Sequence, residues 1–162
     1  ALGGKRRVWT AAAEDYFFDT APKRMLFGRM LDTIPFDRRS DGILGLRRCG
    51  EALRRGDGLL MFPEGTRSTT GELQPFKVGI AILAIEHEVP IIPVYIDRAF
   101  DLMPKGRRFI KPGALRVTFG EPIEAPDLSD RGARQAGRAE VARELTERVE
   151  AAVAAMSGET AK

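Results

Sequence analysis

A chain of 162 residues, 43% hydrophobic and 30% charged, has the size and composition of one globular domain with a single core, which excludes a disordered chain. Its net charge is only +3, but Ala1 to Arg55 holds 12 Lys/Arg against 7 Asp/Glu while Gly56 to Asp130 holds 8 against 11, so a basic face is expected and a polycation is excluded. The one cysteine, Cys49, excludes an internal disulfide and a cysteine-rich metal site, and fits a reduced, cytoplasmic-side setting.

In chain order, strand-like and helix-like segments alternate, which predicts an α/β fold: a mixed central sheet flanked by helices, in a single layer-type domain over residues 1–162. "RRVWTAAAEDYFF" opens with a short strand, and "PKRMLFGRML" reads as a helix with Pro22 in its first turn. "DTIPFDR" is extended, because Ile34 precedes a proline and is pushed out of helical geometry. "DGILGLRRCGEALRRGDG" predicts a helix that Gly56 ends, with Ile43, Leu46, Gly50 and Leu53 on its inner face and Cys49 as a small buried hydrophobe.

"LLMF" reads as a buried strand and "PEGTRS" as the loop after it. "FKVGIAILAIEHE" reads as a mostly buried helix, "VPIIPVYI" as a strand whose prolines place it at an edge or a strand start, and "LRVTFGEPI" as a further strand. Residues 127–162 supply a linker and an amphipathic closing helix, since Val141, Leu145, Val149, Val153 and Met156 recur at nearly every fourth position. The longest apolar stretches, Ile80 to Ile85 and the proline-interrupted Val89 to Ile96, fall short of the ~20 residues that a spanning helix needs, so membrane contact is expected to be peripheral. No signal-peptide pattern is present, and the chain starts at Ala1 and not at methionine, so an upstream segment is expected.

"FPEGTRS", Phe62 to Ser68, resembles the third signature block of the glycerophospholipid acyltransferase family, whose best-known members are the lysophosphatidic acid acyltransferases. "IPFDR" (Ile34 to Arg38), "PFKVG" (Pro75 to Gly79) and "VPIIPVYI" (Val89 to Ile96) are similar to other blocks of that family, in the same order, and the resemblance covers Val8 to Ile123. It implies transfer of a fatty acyl group from a thioester, acyl-CoA or acyl-carrier protein, to a hydroxyl of a glycerol phosphate or lysophospholipid. No other cofactor and no metal are implied. Within that reading Arg38 and Arg67 offer planar forks of donors to the acceptor's phosphate, and Lys77 adds a point charge at a helix start. Glu64 holds the arginine or its loop, Gly65 permits a tight turn, Pro63 stiffens it, and Thr66 and Ser68 complete the substrate-binding set.

The family's base is a histidine oriented by an aspartate five positions later, and the chain departs from that pattern. Its one histidine, His87, is followed five positions on by Ile92 and lies at the polar end of a helix, where its role is to help end that helix. The resemblance therefore implies a domain truncated just after its catalytic block, inactive by itself; the alternative is a phosphate- or lipid-binding module that lacks the base. The "MPKGRRFIKPG" stretch, Met103 to Gly113, sets basic residues around Phe109 and Ile110, a pattern that suits anionic lipid headgroups on the cytoplasmic face of a membrane and equally the charged tip of a hairpin. Nucleic acid is not expected as a partner: the pairs Arg6-Arg7, Arg47-Arg48 and Arg54-Arg55 lack interleaved aromatic residues to act as stacking platforms.

Overall fold

The computed structural model describes residues 6–13, 32–36, 42–104, 111–127 and 137–160. The chain divides into two compact units, Ala1–Gly65 and Thr66–Lys162. The first is built on β1 (Val8–Ala13), which pairs in parallel with β2 (Thr33–Phe36) on one side and β3 (Gly58–Leu60) on the other, in register Thr10↔Thr33 and Val8↔Gly58. Pro35 lies in β2, an edge strand among the described residues, where a missing N–H costs least.

Parallel strands need a crossover, and α1 (Gly42–Arg54) lies between β2 and β3 in the chain and packs on both. The expected inner face is met in part: Gly50 and Cys49 are buried as expected, and Ile43 is not. Gly45, Cys49, Gly50 and Ala52 are buried, while Ile43 is 71% exposed and Leu46 and Leu53 are only half-buried. Gly45, Cys49 and Ala52 recur at helical spacing, so the buried stripe of this helix is made of small side chains. Cys49 is fully buried as expected, and burial pushes its thiol up to about 11.

The helix ends at Gly56 (φ 79) as the sequence predicts: the Gly56 N–H donates to the Leu53 carbonyl and the Asp57 N–H to the Ala52 carbonyl, the paired bonds of a Schellman motif. Asp57 then gathers the start of β1. Its Oδ2 accepts from Trp9 Nε1 at 2.9 Å, its Oδ1 accepts from the Arg7 N–H at 3.1 Å, and Arg55 approaches it at 3.6 Å while lying 5.7 Å over the Trp9 ring. The indole bond first, then the backbone bond, hold the Asp57 carboxyl below the usual carboxylate range. The "LLMF" strand is not buried as expected: among the described residues β3 is the other edge of the sheet, and Leu60 and Phe62 are 40% and 54% exposed.

The second unit contains α2 (Gly79–His87), β4 (Val94–Asp97), the short α3 (Ala99–Leu102), β5 (Arg116–Phe119) and α4 (Arg138–Thr160). α4 packs on α2 and β4, and the core between them consists of Ala81, Ala84, Ile91, Ala142, Leu145 and Val149. Its buried positions include all of the expected Val141, Leu145, Val149, Val153 and Met156. Thr146 is buried among them without an orphaned hydroxyl, because its Oγ1 donates to the Ala142 carbonyl at 2.7 Å.

β4 and β5 form an antiparallel ribbon, Val94↔Phe119 to Asp97↔Arg116, and β4 begins after Pro93, a strand start as the prolines predict. The mixed α/β class holds, and among the described residues the parallel pairings lie in one sheet and the antiparallel pairings in another. The expected helix from Pro22 and the start of the closing helix near Arg134 lie outside the described residues.

Candidate functional site

The candidate segment leaves β3 at its C-terminal end. Phe62 to Gly65 form a tight turn in which the Gly65 N–H donates to the Phe62 carbonyl at 3.0 Å, with Pro63 at the second position and Gly65 at φ 70. Proline presets the backbone entering such a turn, and only glycine takes the left-handed conformation leaving it without strain, so the "PEG" order has a local reason independent of any ligand. Glu64 is half-buried and engaged in polar contact. With Gly65 it closes the first unit.

Thr66, Arg67, Ser68 and Lys77 belong to the second unit. Thr66 is exposed, Arg67 is half-buried, and Arg67 Nη1 is shut off from solvent. Part of that guanidinium is thereby held by the protein and not left sweeping through water. Ser68 has a visible task of its own: its Oγ accepts the Gly71 N–H at 2.9 Å and the Thr70 N–H at 3.2 Å, folding residues 68–71 back on themselves. Thr70 Oγ1 extends the pattern by accepting the Glu72 N–H at 3.3 Å. Sequence reasoning placed Ser68 among the substrate-binding residues, and the structure adds that it organises the turn after Arg67.

Lys77 is exposed and stands just ahead of α2, whose cap position, Val78, offers no side chain to the helix's first N–H groups. The backbone here is fixed from a distance. Glu150, on α4, accepts the Phe76 N–H through Oε2 at 2.8 Å, while the Phe76 ring packs against the core of the second unit. Sequence reasoning missed Glu150. Its only signal was position, beside the core residue Val149 on the closing helix, and nothing in the pattern linked it to a segment 74 residues earlier.

Arg38 lies outside the described residues, as do Lys105 to Ile110 of the basic loop; Lys111 at its far end is exposed, and its N–H donates to the Leu102 carbonyl at 2.9 Å. His87 is the last residue of α2, followed by Glu88 in a left-handed cap at φ 51 whose N–H returns to the Ala84 carbonyl. That position accords with helix termination. A concavity on α4 lined by Glu140, Arg143, Glu144 and Glu147 is a solvated charged face, with Arg143 paired to Glu140 at 3.9 Å and to Glu147 at 4.0 Å. Among the described residues no three His, Cys, Asp or Glu side chains gather as a metal site, and no helix is long and apolar enough to cross a membrane.

A family model described as Acyltransferase matches residues 1–97. The chain is 38% identical to the 1-acyl-sn-glycerol-3-phosphate acyltransferase BAT2, chloroplastic, of Brassica napus, over 48% of this chain and 23% of that one. It is 35% identical to the 1-acyl-sn-glycerol-3-phosphate acyltransferase alpha of Mus musculus, over 57% of this chain and 33% of that one. Among solved structures, the 1-acyl-sn-glycerophosphate acyltransferase PlsC of Thermotoga maritima superposes with a TM-score of 0.64 at 25% identity, covering 93% of this chain and 57% of that one. The chain thus spans about a quarter to a third of the length of these curated relatives and rather more than half of the solved structure.

Proposed function

The chain belongs to the Acyltransferase family, and on that premise we propose that the protein carrying it makes phospholipid precursors by moving a fatty acyl group from a thioester to a hydroxyl of a glycerol phosphate or lysophospholipid. One observation carries the reading: "FPEGTRS" lies within the residues that the family model covers and turns out of the C-terminal end of a parallel strand, the end at which α/β sheets hold their ligands. In the reaction a base takes the proton of the acceptor hydroxyl and its oxygen bonds to the thioester carbonyl carbon. The C–S bond then breaks, and the proton leaves with the thiol.

The oriented histidine is not among these residues, since His87 ends a helix and Ile92 stands where its aspartate would be. The base would be a histidine oriented by an aspartate five positions on, as the family resemblance implies. Arg67, Lys77 and Arg38 would hold the acceptor's phosphate, the arginines by forked bonds and the lysine as a point charge. Glu64, Gly65, Thr66 and Ser68 would shape the loop that carries Arg67. The donor would be acyl-CoA or an acyl-carrier protein, and the basic stretch from Met103 to Gly113 would rest on anionic headgroups at the cytoplasmic membrane face.

The test is release of free thiol by the full-length protein, given acyl-CoA and 1-acylglycerol 3-phosphate. Turnover that disappears when the acceptor lacks its phosphate supports the reading. Acceptor binding without turnover would favour a phosphate- or lipid-binding module instead.

A further inference from the structure

We propose that Glu150 is a positioning residue: by holding the Phe76 N–H it sets the place from which Lys77 reaches the acceptor's phosphate. The proposal rests on the Lys77 role given above. Residues 73 to 77 form no regular structure, and the cap position of α2 supplies no side-chain bond, so local sequence alone leaves the approach to the helix unfixed. Two tertiary ties replace what is missing. The Phe76 ring packs against the buried cluster of Ala81, Ala84, Ile91, Ala142, Leu145 and Val149, and the Phe76 N–H is held at 2.8 Å by Glu150 Oε2.

A carboxylate accepting a backbone N–H in a partly buried setting makes a charge-assisted bond, shorter and stronger than a neutral one. Together the ring and the bond hold Phe76 by its side chain and its N–H, and the next residue in the chain is the exposed Lys77. A flexible lysine can serve as an anion ligand only if its backbone is held within reach, because its own stem is costly to order. Glu150 supplies that hold from α4. The last third of the chain thereby becomes part of the acceptor site without touching the acceptor.

In the full-length protein, Glu150→Ala should raise the acceptor KM roughly three- to tenfold and leave the donor KM unchanged. Glu150→Gln keeps an acceptor oxygen and should recover most of the loss. Lys77→Ala should raise the acceptor KM by itself, and combining it with Glu150→Ala should add little further, the non-additivity expected of one residue acting through another. If Glu150→Ala does not fold, Glu150→Asp, which keeps the charge and shortens the reach, is read in its place with the same expectation. Multiplying effects, or an acceptor KM untouched by the Glu150 variants while Lys77→Ala raises it, would overturn the proposal. No effect of Lys77→Ala on the acceptor KM would overturn the Lys77 role itself, and the positioning claim with it.

Discussion

The two units are held by different means. In the second, the long helix α4 lays a stripe of large aliphatic side chains on α2 and β4, and Leu145 and Val149 are almost completely buried. In the first, α1 packs on β2 and β3 and buries the small Gly45, Cys49, Gly50 and Ala52, and a polar group at Asp57 ties the helix end to β1 through Trp9, Arg7 and Arg55. One region buries large aliphatic side chains, and the other buries small ones and holds its ends by polar bonds. They should therefore fail under opposite substitutions.

The largest effect is expected from removing volume in the second unit. Leu145→Ala takes a fully buried side chain from the core and should cost about 2 to 5 kcal/mol, read as a lowered denaturation midpoint at unchanged slope. A loss under about 1 kcal/mol would mean that the stripe does not carry the unit. The first unit should instead break when volume is added: Ala52→Leu, at a position with no exposed surface, should cost about 1 to 3 kcal/mol by pushing α1 off the sheet. The comparison would collapse if Ala52→Leu were neutral.

A smaller, pH-dependent effect belongs to the polar group. The folded-state carboxyl of Asp57 titrates below its unfolded value, so the stability it contributes is present above the usual carboxylate range and is lost as pH falls through the lower, folded value. Asp57→Asn should lower the melting temperature at neutral pH, and the gap from the parent protein should close in acid. A gap that stays constant from neutral pH into acid would show that the charge of Asp57 is not what matters.

The same contrast decides what could be read in advance. α4 was legible because large apolar residues repeat at nearly every fourth position, and burial follows side-chain size there. α1 is legible as a helix with its Gly56 stop, and Gly50 and Cys49 are buried as expected, but Ile43 is exposed and the buried set also includes the small Gly45 and Ala52, which hydrophobicity does not single out. Edge position had no signature in "LLMF", so the exposure of Leu60 and Phe62 was missed. At the candidate site the turn at Pro63 and Gly65 was legible from local backbone preferences. The bond from Phe76 to Glu150 was not, because long-range pairing leaves no periodic trace.

The functional reading stands or falls on whether Arg67 grips the phosphate of the acceptor, and the acceptor KM of Arg67→Lys in the full-length protein reads that grip. Lysine keeps the positive charge and loses the planar fork, so the acceptor KM should rise on the order of tenfold, the loss of about one charge-assisted bond, while the donor KM stays where it was. Glu64→Gln should lower both activity and stability, the latter by about 1 to 3 kcal/mol. An Arg67→Lys protein with an unchanged acceptor KM, and a melting temperature lowered as far as that of Glu64→Gln, would contradict the grip and leave the phosphate to Arg38 and Lys77.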